Sequence, residues 1–289
     1  MGCTDMVKRP ASPRGVRPQI LTREYQEARI SIWSEALFAL ELLLLHASPI
    51  FYGAGMPRGD GSAVVLIPGF LCPDYYLFHL HAWLKRIGYE PFYSGIPLNA
   101  DCPNLLIQRC LNETIDAAFA ATGCKVHLIG HSLGGVIARS IASQQPHRVA
   151  SVITLGAPFR GTVAHSSVLS AAESVRARIL KKHEDAVLPA CYTGHCTCDF
   201  VDALQQSLPP SVLETAIYTQ SDGVVDWQYC KTDREASDFE VSGTHIGLVF
   251  NSSVYAIIAR RLAQTHCILP NRPTQVRSLT PPQLLVNIC

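Results

Sequence analysis

The chain has 289 residues, 48% of them hydrophobic and 16% charged, with a formal net charge of +1. That length and apolar content suit one large domain, or one domain with an insert, and argue against disorder over most of the chain. A charge balance this close to neutral excludes a strong field for nucleic acid or an anionic membrane, and no nucleic-acid partner is expected.

Residues 1–20 are polar, basic and interrupted by Pro10, Pro13 and Pro18, which reads as a loose arm with no apolar signal-peptide region. Gly2-Cys3 resembles a lipidation start, but Met6 stands where the myristoylation pattern wants Ser or Thr. Residues 23–47 carry Ile30, Trp33, Leu37, Leu40 and Leu44 at helical spacing, and Pro49 stops the pattern. The apolar run Ala36–Ala47 is broken by Glu41 and falls short of the roughly 20 residues a membrane span needs, so a buried or interfacial helix is expected. Its Leu42–Leu45 stretch suits a membrane surface or a partner, which leaves peripheral membrane contact open. With no leader or span in view, a cytoplasmic location is the expectation.

From Ala63 the texture changes. Ala63–Ile67 is a continuous apolar run closed by Pro68-Gly69, as in a strand buried on both faces. A helix over 74–87 ends at Gly88, a short strand follows at Glu90–Ser94, and Pro103 opens a helix that ends at Gly123. Lys125–Ile129 is a second apolar strand, Leu133–Gln145 a helix and Val149–Leu155 a third strand. Strands alternating with helices over short connections specify a mostly parallel sheet with helices on both faces. After Gly156 the alternation stops. Residues 160–210 hold a helical stretch, Val163–Lys182, and a Cys/His segment, and are expected to form an inserted cap. The pattern resumes with strands at Val212–Thr219 and Phe239–Ser242 and a helix at Ile246–Leu262. The expected organisation is an N-terminal arm and helix over 1–62, an α/β domain over 63–269 and an irregular tail over 270–289.

Eleven cysteines cannot all pair within one chain. Cys72, Cys110, Cys124, Cys230 and Cys267 lie singly and read as small buried hydrophobes. Cys191, Cys196 and Cys198, with His195 among them, read as free thiols or a disulfide. Their Cys-x4-Cys-x-Cys spacing lacks the second ligand pair of a structural metal site.

Gly130-His131-Ser132-Leu133-Gly134 is a G-x-S-x-G motif set directly after one strand and before a helix, the context of a nucleophile elbow. In so tight a turn the residues two positions to each side approach closely, and Gly130 and Gly134 lack side chains. A serine hydroxyl needs a base, and the chain order of such sites places an acid and then a His after the serine. His245, in the loop Ser242–Gly247 with glycine on both sides, is the expected base; His266 reads as surface, and His131 as packing. Asp222, just past the strand ending at Thr219, is the expected acid, with Asp226 as competitor. The backbone N–H groups of Leu133 and Phe70 are the expected oxyanion donors, Gly69 allowing close approach.

With these residues together, the chain resembles the α/β-hydrolase superfamily, and within it bacterial-type triacylglycerol lipases and esterases. The resemblance is carried by Ile67-Pro68-Gly69-Phe70, Gly130–Gly135, Thr154–Pro158, Asp222–Val225 and Gly243-Thr244-His245. Pro68 stands where those lipases usually have His before the oxyanion donor, and Phe159 where they often have a second His. The resemblance implies an α/β-hydrolase fold with an inserted cap, and ester hydrolysis through an acyl-enzyme on Ser132. No metal or organic cofactor is required, and the expected partner is a small ester, including a lipid ester. An acyltransferase or thioesterase would use the same three residues, and a non-catalytic lipid- or partner-binding module is the alternative of another class.

Overall fold

The computed structural model describes residues 25–265 and 267, with Asp233 left out. The arm at 1–20, Gly2-Cys3, His266 and the tail at 270–289 lie outside the described residues. In chain order the elements are β1 (Gln26–Glu27), a 3-10 helix (Ile32–Leu37) that runs into α1 (Phe38–Ala47), β2 (Ala63–Ile67), α2 (Phe78–Ile87) and β3 (Glu90–Tyr93). There follow α3 (Pro103–Leu106), a π-helical stretch (Ile107–Leu111), α4 (Asn112–Thr122), β4 (Val126–His131), α5 (Leu133–Gln144) and β5 (Val149–Leu155). The remainder is β6 (Val163–Ala164), α6 (Ser166–His183), α7 (Asp199–Leu204), β7 (Leu213–Tyr218), β8 (Asp238–Glu240), a 3-10 helix (Ile246–Phe250) and α8 (Ser252–Leu262).

Six strands form one parallel sheet in the order β3-β2-β4-β5-β7-β8. β2, β4 and β5 are sandwiched, which explains their unbroken apolar runs. Val65, Ile67 and Leu128 face a core shared with α4 and α5, while Val64, Leu66 and Ile129 face one shared with α2 and α8. This is an α/β-hydrolase architecture, and all strand ends relevant below lie on the carboxyl edge of the sheet.

The structure departs from the sequence reading in several places. Residues 23–47 are not one helix: a two-residue strand, β1, pairs with β6, and the helical part begins at Ile32. Nor is that helix buried. Leu45 is its one buried apolar residue, whereas Trp33 is 85% exposed and Leu37, Leu40, Leu43 and Leu44 are exposed. Val163 belongs to β6, so the next helix starts at Ser166, where the His165 side chain accepts from the Ser167 N–H. α7 has no counterpart in the sequence pattern. The last strand is Asp238–Glu240, and the last helix is divided by Asn251, which caps α8 through the N–H groups of Ser253 and Val254. Cys124 and Cys267 are not isolated hydrophobes: they are joined as a disulfide with Cα atoms 5.7 Å apart.

α5 is fixed from behind by Arg139. Its Nε donates to Glu214 Oε1 on β7 at 2.9 Å, Nη1 donates to the Leu204 carbonyl at 3.1 Å, and both side chains of the ion pair are 6% exposed. Removing one member of a buried pair strands the other charge and costs about 3–5 kcal/mol. Arg139→Leu is therefore expected to lower the unfolding free energy by about that amount. The double variant Arg139→Leu/Glu214→Leu should recover much of the loss. Urea denaturation followed by circular dichroism checks both.

Candidate active site

The loop between β4 and α5 sets the geometry. Ser132 has φ 51° and ψ −124°, a conformation that L-residues rarely adopt. A side chain at Gly130 would collide with the Gly134 backbone, and one at Gly134 with the Ile67 carbonyl, so both positions exclude a Cβ. The Ser132 N–H donates to the Leu155 carbonyl at 2.8 Å. The hydroxyl makes no capping bond at the helix start. Ser132 instead stands on the wall of a cavity of about 170 Å³ lined largely by apolar residues, among them Phe70, Leu133, Val136, Phe159 and Leu169.

The expected acid and base meet. His245 Nδ1 lies 2.7 Å from Asp222 Oδ2, with both side chains almost fully buried. Asp222 Oδ1 accepts from the N–H groups of Val224 and Val225 at 2.9 and 2.8 Å, which fixes the carboxylate toward the ring. Asp226 serves elsewhere, capping the 3-10 turn Trp227–Cys230 by accepting from the Gln228 N–H. Burial alone would depress the His245 pKa. The Asp222 charge and hydrogen bond, with the Glu35 charge, overcome it and raise the pKa above its ordinary 6.5. The ring lies beside Gly156, at the end of β5, where a Cβ would come within 3.1 Å of Nδ1. Ser132, Gly156, Asp222 and His245 thus gather at the carboxyl ends of β4, β5, β7 and β8.

His131 does more than pack. Its Nε2 is 3.0 Å from the His245 carbonyl, and its ring centroid is 4.8 Å from that of His245. Complete burial pushes its pKa down to about 3, aided by the neighbouring His245. The ring is therefore neutral, and Nε2–H donates to the carbonyl. The loop after β2 comes close to the serine: a Cβ on Gly69 would sit 3.3 Å from Ser132 Cβ. Asn99, fully buried, braces that loop: its side-chain Nδ2 donates to the Pro68 carbonyl at 2.7 Å, and its backbone carbonyl accepts from the Leu71 N–H at 2.9 Å. Among the described residues, the N–H groups of Phe70 and Leu133 enter none of these loop hydrogen bonds.

Three groups in the site carry no readable signal in the sequence: Asn99, Glu35 and Glu41. Glu35 Oε1 accepts from the N–H groups of Gly223 and His245, and Oε2 from that of Ile246. Glu41 accepts from both the N–H and the hydroxyl of Thr244. The glycines around His245 have a steric reason that follows from this. A side chain at Gly247 would collide with the Glu41 carboxylate, and Gly243, at φ 140°, would place a Cβ 2.6 Å from it.

Cys191, Cys196 and Cys198 are free thiols on the cavity wall, and Cys102, which has no distinguishing sequence context, faces Cys191 there. Among the described residues no group of three or more His, Cys, Asp and Glu side chains is arranged to hold a metal ion. From residues 160–210, Val168 and Leu169 stand on the cavity wall. Ile179 packs instead with Leu105, Val175 and Val187, and Val163 is buried in β6.

A family model described as the alpha/beta hydrolase fold matches residues 121–182, the segment that contains β4, the elbow, α5 and β5. The chain is 31% identical over 147 residues to a triacylglycerol lipase of Burkholderia plantarii, an alignment covering 47% of this chain and 41% of that protein. It is 51% identical over 49 residues to a triacylglycerol lipase of Pseudarthrobacter phenanthrenivorans, covering 17% of this chain and 15% of the relative. The chain thus matches less than half the length of these curated relatives. Among solved structures, a soluble variant of monoglyceride lipase from Saccharomyces cerevisiae in complex with a substrate analog aligns at 18% identity. That alignment covers 73% of this chain and 91% of the other, with a TM-score of 0.47. The chain is an α/β-hydrolase-fold protein that resembles bacterial lipases.

The geometry makes a prediction about proton affinity. His245 should titrate above the ordinary histidine value of 6.5, because a carboxylate at 2.7 Å outweighs burial. Asp222→Asn removes the charge and leaves burial to act, so the pKa should fall below 6.5. Asp226→Asn should leave it in place. Imidazole titration by heteronuclear NMR distinguishes the two, and a drop in Asp226→Asn alone would transfer the role to Asp226.

Proposed function

We propose that the protein is a serine hydrolase that cleaves carboxylic esters through an acyl-enzyme on Ser132. The observation that carries this reading is the strained Ser132 turn on the wall of an apolar cavity, with a buried Asp222–His245 pair at the same sheet edge. The partial likeness to bacterial triacylglycerol lipases supports it further.

The chemistry follows from the geometry. Asp222 engages Nδ1 of His245, which leaves Nε2 to take the Ser132 proton as Oγ attacks the ester carbonyl. The carbonyl oxygen gains negative charge, and the N–H groups of Leu133 and Phe70 are the proposed donors to it. The Leu133 group opens α5, whose dipole also favours an anion. As the tetrahedral adduct collapses, the C–O bond to the alcohol breaks, and the His245 imidazolium gives its proton to the leaving alkoxide. Water then enters, loses a proton to His245 and attacks the acyl carbon; the Ser132–acyl bond breaks to release the acid as the His245 imidazolium returns its proton to Ser132 Oγ. Every step uses side chains and backbone alone, so the scheme requires no metal or organic cofactor.

The acyl group is proposed to lie in the cavity against Val136, Phe159, Val168 and Leu169, with residues 160–210 acting as a cap inserted in a domain spanning 63–269. Such a lining favours an apolar acyl chain, since burying each methylene gains about 0.8 kcal/mol.

A fluorophosphonate probe tests the nucleophile, and labelling is expected on native protein and absent in Ser132→Ala. Hydrolysis of p-nitrophenyl esters should fall at least about a thousandfold in Ser132→Ala, and about ten-thousandfold in kcat in Asp222→Asn. Labelling that survives Ser132→Ala would place the nucleophile elsewhere. An ester series of rising chain length defines the acyl group, and product analysis with added alcohol separates hydrolysis from acyl transfer.

A further inference from the structure

The 3-10 helix at Ile32–Leu37 lies outside the parallel sheet, yet it brings one carboxylate into the site. Glu35 is 5% exposed and makes three hydrogen bonds, all accepted from backbone N–H groups: Gly223 at 2.9 Å, His245 at 3.0 Å and Ile246 at 2.8 Å. Gly223 adjoins the acid Asp222, and the other two donors belong to the base loop. One side chain from residue 35 therefore ties together the two loops that carry the Asp222–His245 pair. The fit is close, since a Cβ on Gly223 would come 2.9 Å from Glu35 Oε1 and 2.6 Å from the Ser31 carbonyl.

We propose that Glu35 is a positioning residue for this site, one that locks the Asp222 turn and the His245 loop in register and stands as a second negative charge beside the imidazole. The inference rests on the reading of Ser132, Asp222 and His245 given above. It extends that reading to an element which the α/β pattern does not contain.

Two consequences separate this role from ordinary packing. The first is electrostatic. The groups facing His245 are Asp222 from the turn after β7, Glu35 from the 3-10 helix and neutral His131 from β4. Glu41 faces the adjacent Thr244, and the Tyr76 hydroxyl lies 3.4 Å from the Ile246 carbonyl. Of these, Asp222 and Glu35 raise the proton affinity of the ring, so neutralising Glu35 must lower it. The second is geometric. Glutamine keeps the shape of Glu35 but turns one acceptor oxygen into an N–H₂ donor facing a backbone N–H. The shorter aspartate keeps the charge but cannot reach all three donors. Neither change touches the cavity wall, of which Glu35 is not a part.

The experiment compares Glu35→Gln and Glu35→Asp with native protein, with folding monitored by circular dichroism. Glu35→Gln should lower the acidic limb of kcat/KM by up to about one pH unit and reduce kcat about tenfold or more, with KM unchanged. Glu35→Asp should hold the limb near its native position while kcat falls at least about fivefold. His245 titration by NMR in the Ser132→Ala background should show the same order of pKa values and requires no turnover. If the native protein neither takes a fluorophosphonate label nor hydrolyses esters, the functional reading fails, and the NMR titration still decides the role of Glu35. Glu35→Gln with native limb, kcat and His245 titration would overturn the proposal. Should Glu35→Gln not fold, Glu35→Asp with native kcat would overturn it equally.

Discussion

Between Gly130 and Gly135 the chain turns from strand to helix in so little space that three of its positions have no room for a Cβ, and Ser132 is forced to a positive φ. A non-glycine residue in such a region costs on the order of 1–3 kcal/mol and persists when its surroundings allow nothing else. The surroundings here are strong. β4 is hydrogen-bonded on both sides, and α5 is buried along almost its whole length, from Gly134 to Ala142. Arg139 anchors the helix to β7 and to the segment after α7. The core thus holds the strain at Ser132, and the nearby loops are placed relative to that fixed point.

The same edge of the sheet gathers buried charge. An ionised carboxylate removed from water is tolerated when its lone pairs meet hydrogen-bond donors. Asp222 meets two backbone N–H groups and the imidazole, and Glu35 meets three backbone N–H groups. Bonds of this charge-assisted kind contribute about 1.5–3 kcal/mol each, more than neutral ones. They also stiffen loops that would otherwise be the softest parts of an α/β domain. Asp222, His245 and Glu35 therefore form one continuous polar network.

The sheet and the elbow are legible in the sequence because each leaves a side-chain trace. Strands buried on both faces leave unbroken apolar runs, and the turn leaves glycines at fixed offsets around Ser132. Asp222 and His245, taken from chain order, lie 2.7 Å apart in the structure, and Asp226 caps a 3-10 turn. Glu35 and Glu41 are not legible. Their partners are chiefly backbone N–H groups, which carry no residue-type signal, and those partners lie about two hundred positions away, as with the 210 residues between Glu35 and His245. Asn99 is hidden for the same cause. At the N-terminus, periodicity misleads in another way. The apolar positions that suggest a buried face are exposed, while the faces that matter carry the carboxylates. The Cys124–Cys267 link spans 143 residues and has no local pattern to announce it.

The distance along the chain between Glu35 and its partners also bears on the order of assembly. Contacts closing loops of about two hundred residues form late, because the entropy of closure must be met before the contact stabilises anything. The β2-β4-β5 core and the elbow between them need only residues near the middle of the chain, and can consolidate early. The loop bearing His245 takes its hydrogen-bonded seat only with the segment around residue 35 beside it to accept from its N–H groups. The serine turn thus sits among contacts of short sequence separation, whereas the seat of the Asp222–His245 pair depends on the most distant ones.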